Sequence, residues 1–393
     1  MHSFAMSDIT LPSPSFCIDL ERLRANCERV TSLGLPLRPH VKTSKCIEIA
    51  RLIQGAGAPS GIVCSTLQEC EHFAAAGFTD ILYGVPIEPS KLPRAFLLHQ
   101  RLPAFHLMVD TREGLAAVES FLSQRQAEIF SLWVAIDAGY GREGVRHDSE
   151  AALELAAAVH ASRYAALAGL YSHSGDSYSC ASGRAGAAQA GALELARMSA
   201  LARALGARGV PVPTLSLGAT PSVFSGVPWR APAAAPGAPP LLLPPPRLEL
   251  HPGNFCFFDR QQVASGSCAL EDIACYVLAR IVGVHPERNT LLIDAGACAM
   301  HKDAGGLSTW GSLRDDPNMV LTKMTQEVSV VSTADGSPID AQRYALGGAV
   351  RVLPNHSCMT AAQFPVYHVT RAGAGAGAGE RAVVDKWTPC KFW

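Results

Sequence analysis

The sequence has almost no charge imbalance: 33 lysines and arginines face 34 acidic residues, for a net charge of −1, and the cations form no cluster. A nucleic-acid surface gains affinity by neutralising many phosphates with clustered cations, so no nucleic-acid partner is expected. Long apolar runs are missing as well. None approaches the roughly 20 residues that cross a bilayer, and no membrane partner is expected. Cysteine is plentiful at twelve, but paired spacings and a secretory leader are lacking, which argues against a disulfide framework and for free thiols in a reducing compartment. The first ten residues carry no convincing targeting signal, so a cytoplasmic location is expected, with organellar targeting left open. What remains is a soluble protein with a small-molecule partner.

What is present is a regular alternation. Apolar strand-like runs at 37–41, 61–64, 80–83, 104–109, 131–136, 166–171, 214–217 and 248–250 are separated by Ala/Leu-rich helix-like runs such as 46–54, 68–76, 112–123, 150–161 and 187–205. Strand–helix alternation predicts a parallel sheet, and eight repeats favour closure into a (β/α)8 barrel, which takes about 250 residues. The remaining length predicts a second domain. After about residue 272 the runs become short and β-rich, at 274–284, 290–293, 327–331, 349–353 and 366–369. The expected division is a barrel over 20–271 and a mainly β domain formed by 1–19 and 272–393. The Pro/Ala stretch 228–246 and the Gly-Ala repeat 372–379 are read as loops, the second as a hairpin tip.

Chemistry collects just after the barrel strands. The first strand ends in His40-Val41-Lys42, and side chains alternate along a strand, so imidazole and amine point into one space. The plain alternative is that Lys42 and Lys45 are surface charges opening a helix. Glycine turns follow the seventh and eighth strands, Gly218-Ala219-Thr220 and Gly253-Asn254, the usual phosphate loops of a barrel. Arg142, in the turn after the fifth strand, could meet an anionic ring oxygen, or could merely bridge to Asp137. Finally, His356 and Cys358 stand at i and i+2 of what reads as an extended segment. Imidazole with thiolate suits Zn²⁺ better than Mn²⁺, and two protein ligands leave positions for water or substrate. A buried cysteine beside a hydrogen-bonded histidine would look the same.

Taken together, these motifs carry a resemblance. Arg38-Pro-His40-Val-Lys42-Thr43, Asp137-x-Gly-x-x-Arg142-x-Gly-Val145, Tyr171-Ser-His173-Ser-Gly175, Gly218-x-Thr220-Pro221, Pro252-Gly253-Asn254, Asp294-Ala-Gly296, Lys302-Asp303 and Pro354-Asn-His356-x-Cys358 resemble the D-threonine aldolase and D-serine dehydratase family over about 14–387. The chain is most similar, on this reading, to a eukaryotic D-threonine aldolase. The resemblance implies an alanine-racemase-like barrel binding pyridoxal 5'-phosphate (PLP), a β domain and a homodimer. It makes Lys42 the PLP lysine, with His40, Arg142 and Tyr171 around the ring and Gly218, Thr220, Gly253 and Asn254 at the phosphate. His356 and Cys358 become the ligands of a divalent metal, Zn, Mn or Mg, and His173 joins Lys42 as a catalytic group.

The expected activity is cleavage of D-threonine and other D-β-hydroxy amino acids to glycine and an aldehyde. It rests partly on Asp176, which could orient His173 as the base that cleavage needs, unless it simply caps the following helix. The alternatives are a D-serine dehydratase, which the His-x-Cys pair favours, and a non-catalytic PLP-carrying protein.

Overall fold

The computed structural model describes all residues except 1–6, 58–60, 126–127, 231–243, 341 and 374–379. The Pro/Ala stretch and the Gly-Ala repeat fall largely outside the described residues. The chain divides into two compact units, Thr31–Lys42 with Ile53–Gly253 and Phe392–Trp393, and Met1–Val30 with Thr43–Leu52 and Asn254–Lys391. Among the described residues no helix is long and apolar enough to cross a membrane, and every cysteine with a described side chain is a free thiol.

The first unit is the parallel barrel. Strands Gly61–Cys64, Asp80–Pro86, Ala104–Val109, Phe130–Asp137, Ala165–Tyr171, Thr214–Leu217 and Arg247–Leu250 lie side by side in that order, each parallel to the next. The helices Leu67–Ala75, Arg112–Ser123 and Glu150–Ala161 start at Thr66, Thr111 and Ser149, whose hydroxyls accept the N–H groups of Glu69, Gly114 and Ala152. Each such cap is worth about 1 kcal/mol. A further helix, Leu92–His99, was not expected from the sequence, and the long helix extends to Gly183–Ala207.

Residues 37–41, expected as a continuous strand, close the ring through two single bridges instead, Leu37 to Leu250 and His40 to Val63. Arg38 N–H donates to the Leu250 carbonyl at 2.8 Å and Val63 N–H to the Pro39 carbonyl at 3.0 Å. Pro36 and Pro39 lack the N–H that a regular ladder needs, which is why pairing is broken there. The barrel interior is filled by Val63, Leu82, Met108, Trp133, Ala135 and Tyr171. Near the strand starts, Arg38 is clamped between Glu249 (2.9 Å) and Asp80 (2.5 and 3.1 Å).

In the second unit an antiparallel sheet closes on itself. Cys275–His285 pairs with Thr290–Ile293 at one end and with Ala349–Pro354 at the other, and Ser329–Thr333, Met319–Met324 and Gly311–Leu313 complete the ring between them. A shift in register between Ile281 and Gly283 bends the shared strand, as a bulge allows one strand to serve two partners. Ser15–Asp19, Tyr367–Ala372 and Arg381–Trp387 extend the sheet beyond the ring.

Candidate active site

Barrel topology sends five of the sequence-predicted side chains into one cavity. His40, Lys42, Arg142, Tyr171 and His173 line a space of about 340 Å³. They come from three parts of the ring, His40 and Lys42 from the first segment, Arg142 from the turn after Phe130–Asp137, and Tyr171 and His173 from the end of Ala165–Tyr171, the carboxyl-end positions from which loops build sites in this architecture. Ser65, Gly84 and Glu143 complete much of the wall. Alternation along the first segment works as expected, since His40 and Lys42 share this wall while Val41 is buried away from water.

Three aromatic contacts set the orientation of the histidines. Tyr171 stacks on His251 with ring centroids 4.1 Å apart and planes 14° from parallel. His173 meets Tyr140 edge-on at 6.0 Å and Tyr178 at 6.2 Å. Tyr140 rests on Gly175, where an added Cβ would come within 2.3 Å of the ring, so this glycine is required for the clamp around His173.

The electrostatics are dominated by cations in a buried space. Burial, then Lys42 and other neighbouring cationic or imidazole groups, holds His40 and His173 well below the ordinary histidine range, and pulls His251 down to about 3. All three imidazoles are therefore neutral at physiological pH and can accept protons. Burial pushes the Tyr171 hydroxyl up, so it stays protonated. Arg142 does not bridge to Asp137. It forms a two-pronged pair with Glu143, while the Asp137 carboxylate accepts the Gly139 and Gly141 N–H groups at 2.8 and 3.0 Å. The sequence reading had assigned no role to Glu143.

The expected phosphate turns behave differently from one another. Gly218 adopts φ of +88°, a conformation that favours glycine. Its N–H is accepted by the Glu194 carboxyl at 3.0 Å, and the Ala219 N–H by Ser222 Oγ at 2.9 Å. Thr220 is fully buried and opens the short helix Thr220–Phe224. Gly253 ends the first unit and Asn254 begins the second. The Asn254 amide donates to Asp259 at 2.8 Å, Ser357 Oγ at 3.0 Å and Cys358 Sγ at 3.5 Å, which ties it to the candidate metal pair.

That pair is not on an extended segment. The strand stops at Pro354, His356 is the residue before the helix Ser357–Ala362, and Cys358 sits in its first turn. The turn forms because the buried Asp259 carboxylate takes both the N–H and the hydroxyl of Ser357, at 2.9 and 3.1 Å. His356 Nδ1 lies 2.5 Å from Asp303 Oδ2, and Cys358 Sγ lies 3.1 Å from the Thr43 hydroxyl. Burial alone would lower His356, but its bonds to Asp303 and Cys358 raise it to about 11. Burial would raise the Cys358 thiol, and the His356 bond and charge more than offset this.

Both groups implied by the sequence fit what is present. A cavity of this size matches small-molecule sites, and it offers an amine for a carbonyl, an arginine for an anionic oxygen and neutral imidazoles. At the second unit, Asp303 holds His356 through Nδ1, which leaves Nε2 as the nitrogen for a metal, with the Cys358 sulfur two residues on. That is the carboxylate–histidine arrangement by which proteins orient metal ligands. Among the described residues no group of three or more potential ligands occurs, so a metal here would keep open positions. Glu194, Glu143 and Asp303 are what sequence reasoning missed. Only Asp303 had a signal, its place in a quoted motif.

Comparison with known proteins agrees with this geometry. A model of the alanine racemase N-terminal domain matches residues 18–238, and one of a putative serine dehydratase domain matches 274–370. The D-serine dehydratase of Dictyostelium discoideum is 34% identical over 394 residues, covering 94% of each chain. The D-threo-3-hydroxyaspartate dehydratase of Delftia sp. (strain HT23) is 36% identical over 390 residues, 95% of this chain and 98% of that one. A variant of such a dehydratase, solved in the metal-free form, superposes with a TM-score of 0.85 at 33% identity, covering 99% of this chain and all of the other. The D-threonine aldolase of Arthrobacter sp is 30% identical over 359 residues, 88% of this chain and 85% of that one. With its alanine racemase-like barrel and β domain, the chain belongs to the D-serine dehydratase and D-threonine aldolase family of PLP-dependent lyases.

Proposed function

We propose that the protein is a PLP- and divalent-metal-dependent dehydratase of small D-3-hydroxy amino acids, converting D-serine to pyruvate and ammonia. One structural observation supports this branch over the aldolase expected at first. Asp176, invoked to orient His173 as the base for carbon–carbon cleavage, is exposed in the turn Gly175–Tyr178, and among the described residues it makes no hydrogen bond to His173. Nor does it cap the long helix, which is preceded by Ser182. The relatives at 34 and 36% identity, both dehydratases, support the same branch, as does the soft Cys358 ligand.

The residues divide the work as follows. PLP bound through Lys42 would supply the electron sink for the pair left at Cα. Lys42 would also supply the amine that takes the α-proton. His40 and His173, kept neutral, can hold or pass that proton, and Arg142 would face the anionic ring oxygen. His356 and Cys358 would hold a zinc ion, the Lewis acid that draws hydroxide from Cβ. The α-proton and hydroxide leave as water, and hydrolysis of the resulting enamine through its imine gives the 2-oxo acid and ammonia.

Purified enzyme incubated with D-serine, D-threonine and D-threo-3-hydroxyaspartate is expected to form pyruvate, 2-oxobutyrate and oxaloacetate, each with one ammonia. Glycine with acetaldehyde from D-threonine, and no 2-oxobutyrate, would return the assignment to the aldolase. Equal turnover of the L-enantiomers would sink the substrate class.

A further inference from the structure

The long helix Gly183–Ala207 carries a glutamate that the reaction above does not use. Glu194 is 2% exposed, and burying a carboxyl group is costly unless its oxygens are hydrogen-bonded. Its two oxygens serve two different turns. Ser172 Oγ donates to Oε1 at 2.6 Å, and the Gly218 N–H donates to Oε2 at 3.0 Å. Ser172 immediately precedes His173, and Gly218 opens the turn assigned to the cofactor phosphate. A second path runs parallel, since Ser174 Oγ lies 3.2 Å from Ser222 Oγ, which itself bonds to Ala219 N at 2.9 Å and Ala219 O at 3.1 Å. An apolar side chain at this helix position would satisfy packing alone. The carboxyl group instead takes one donor from each side of the site.

We propose that Glu194 is a positioning residue that locks the turn carrying His173 to the turn facing the PLP phosphate, so that the phosphate is bound by a pre-shaped loop. Because Gly218 and Ala219 spend their N–H groups within this lock, their part is to hold the loop's shape, and the phosphate contacts fall to Thr220 and the backbone beyond it. Removing the carboxyl group would leave the Gly218 amide and the Ser172 hydroxyl buried without their acceptor, and the turn would reorganise. The inference rests on the reading of Lys42 as the PLP lysine.

The test compares PLP with pyridoxal, which has the same aldehyde and ring but no phosphate. Apoprotein is titrated with each, following the absorbance of the lysine adduct. In Glu194→Ala, PLP affinity should fall about tenfold or more, while pyridoxal affinity should stay within about twofold of wild type. Glu194→Gln can accept from Gly218 through its carbonyl and donate to Ser172 through its amide, so it should retain the wild-type preference. Equal loss of both ligands in Glu194→Ala would mean a merely structural role and overturn the proposal, as would unchanged PLP affinity. Should Glu194→Ala fail to fold, Ser172→Ala removes one donor and leaves the carboxyl in place. A wild-type PLP-over-pyridoxal preference in that variant overturns the proposal equally. Wild-type protein that forms no adduct at Lys42 would instead sink the functional reading on which this one rests.

Discussion

Lys42 illustrates how far a single residue can be argued. Its sequence context allowed either a cofactor lysine or a surface charge. The cavity it shares with His40, Tyr171 and His173 favours the first, because a solvated lysine does not need two neutral imidazoles and a buried tyrosine around it. Borohydride treatment of PLP-loaded protein should therefore fix the label at Lys42, and Lys42→Ala should lower turnover at least about a thousandfold while remaining folded, as loss of a covalent catalyst does. Label at Lys45 would refute the assignment. Glu194 permits a pH argument at the same scale. Burial pushes its carboxyl up to about 7, against the pull of the Ser172 and Ser174 hydroxyls and the Gly218 amide. An acid with a raised folded pKa binds more protons folded than unfolded, so its contribution to stability falls as pH rises from the unfolded carboxylate range to about 7. The loss is on the order of 3 kcal/mol. Urea denaturation of apoprotein at about pH 5 and pH 7.5 should show this drop in wild type and not in Glu194→Gln. Parallel profiles would contradict it.

Elements were legible where local pattern and final environment agree. Gly61–Cys64, Ala104–Val109, Arg112–Ser123 and Glu150–Ala161 end where turn residues and hydroxyl caps place them. The failures have separate causes. Prolines at 36 and 39 broke the first strand into bridges although its apolar pattern was right. Leu92–His99 begins with a proline at its second position, which reads as a turn until its place in the alternation is known. Met319–Met324 was not assigned although its partner Ser329–Thr333 follows directly in the chain, whereas the pairing of Tyr367–Ala372 with Arg381–Trp387 is the hairpin expected around the Gly-Ala repeat. His356 and Cys358 read as extended because nothing local announces that Asp259, nearly a hundred residues earlier, will turn the chain into a helix. The buried cluster of Arg38 with Glu249 and Asp80 was equally invisible, and it yields a stability prediction. Arg38→Met should destabilise the barrel by about 3–5 kcal/mol, since it strands buried carboxylates without their cation. Replacing Arg38 and Glu249 together by apolar residues should cost less than Arg38→Met alone, a comparison that chemical denaturation can make. A double variant as unstable as the sum of the singles would show that the pair is not coupled.

For the whole molecule, the residues assigned to PLP, Asn254 excepted, and those assigned to the metal belong to different compact units. Lys42, His173 and Arg142 fall in one, and His356, Cys358 and Asp303 in the other. Cofactor loading and metal loading should therefore be separable. The homodimer implied by the family resemblance is a further proposal, tested by sedimentation; a fully active monomer would rule it out. The division of roles makes the sharper prediction. Chelation with EDTA should abolish 2-oxo acid formation from D-serine, yet the metal-free protein should still bind PLP and give the borohydride label at Lys42. Zn²⁺ should restore more activity than Mn²⁺ or Mg²⁺, because a thiolate ligand is soft and those ions prefer oxygen. Cys358→Asp should shift the preference toward Mn²⁺, whereas Asp303→Asn, which removes the carboxylate behind His356, should weaken metal affinity by about 10–100-fold without changing which ion works best. Full activity in rigorously metal-free protein would eliminate the metal from the reaction, and loss of the Lys42 label on chelation would show that the two loadings are not independent.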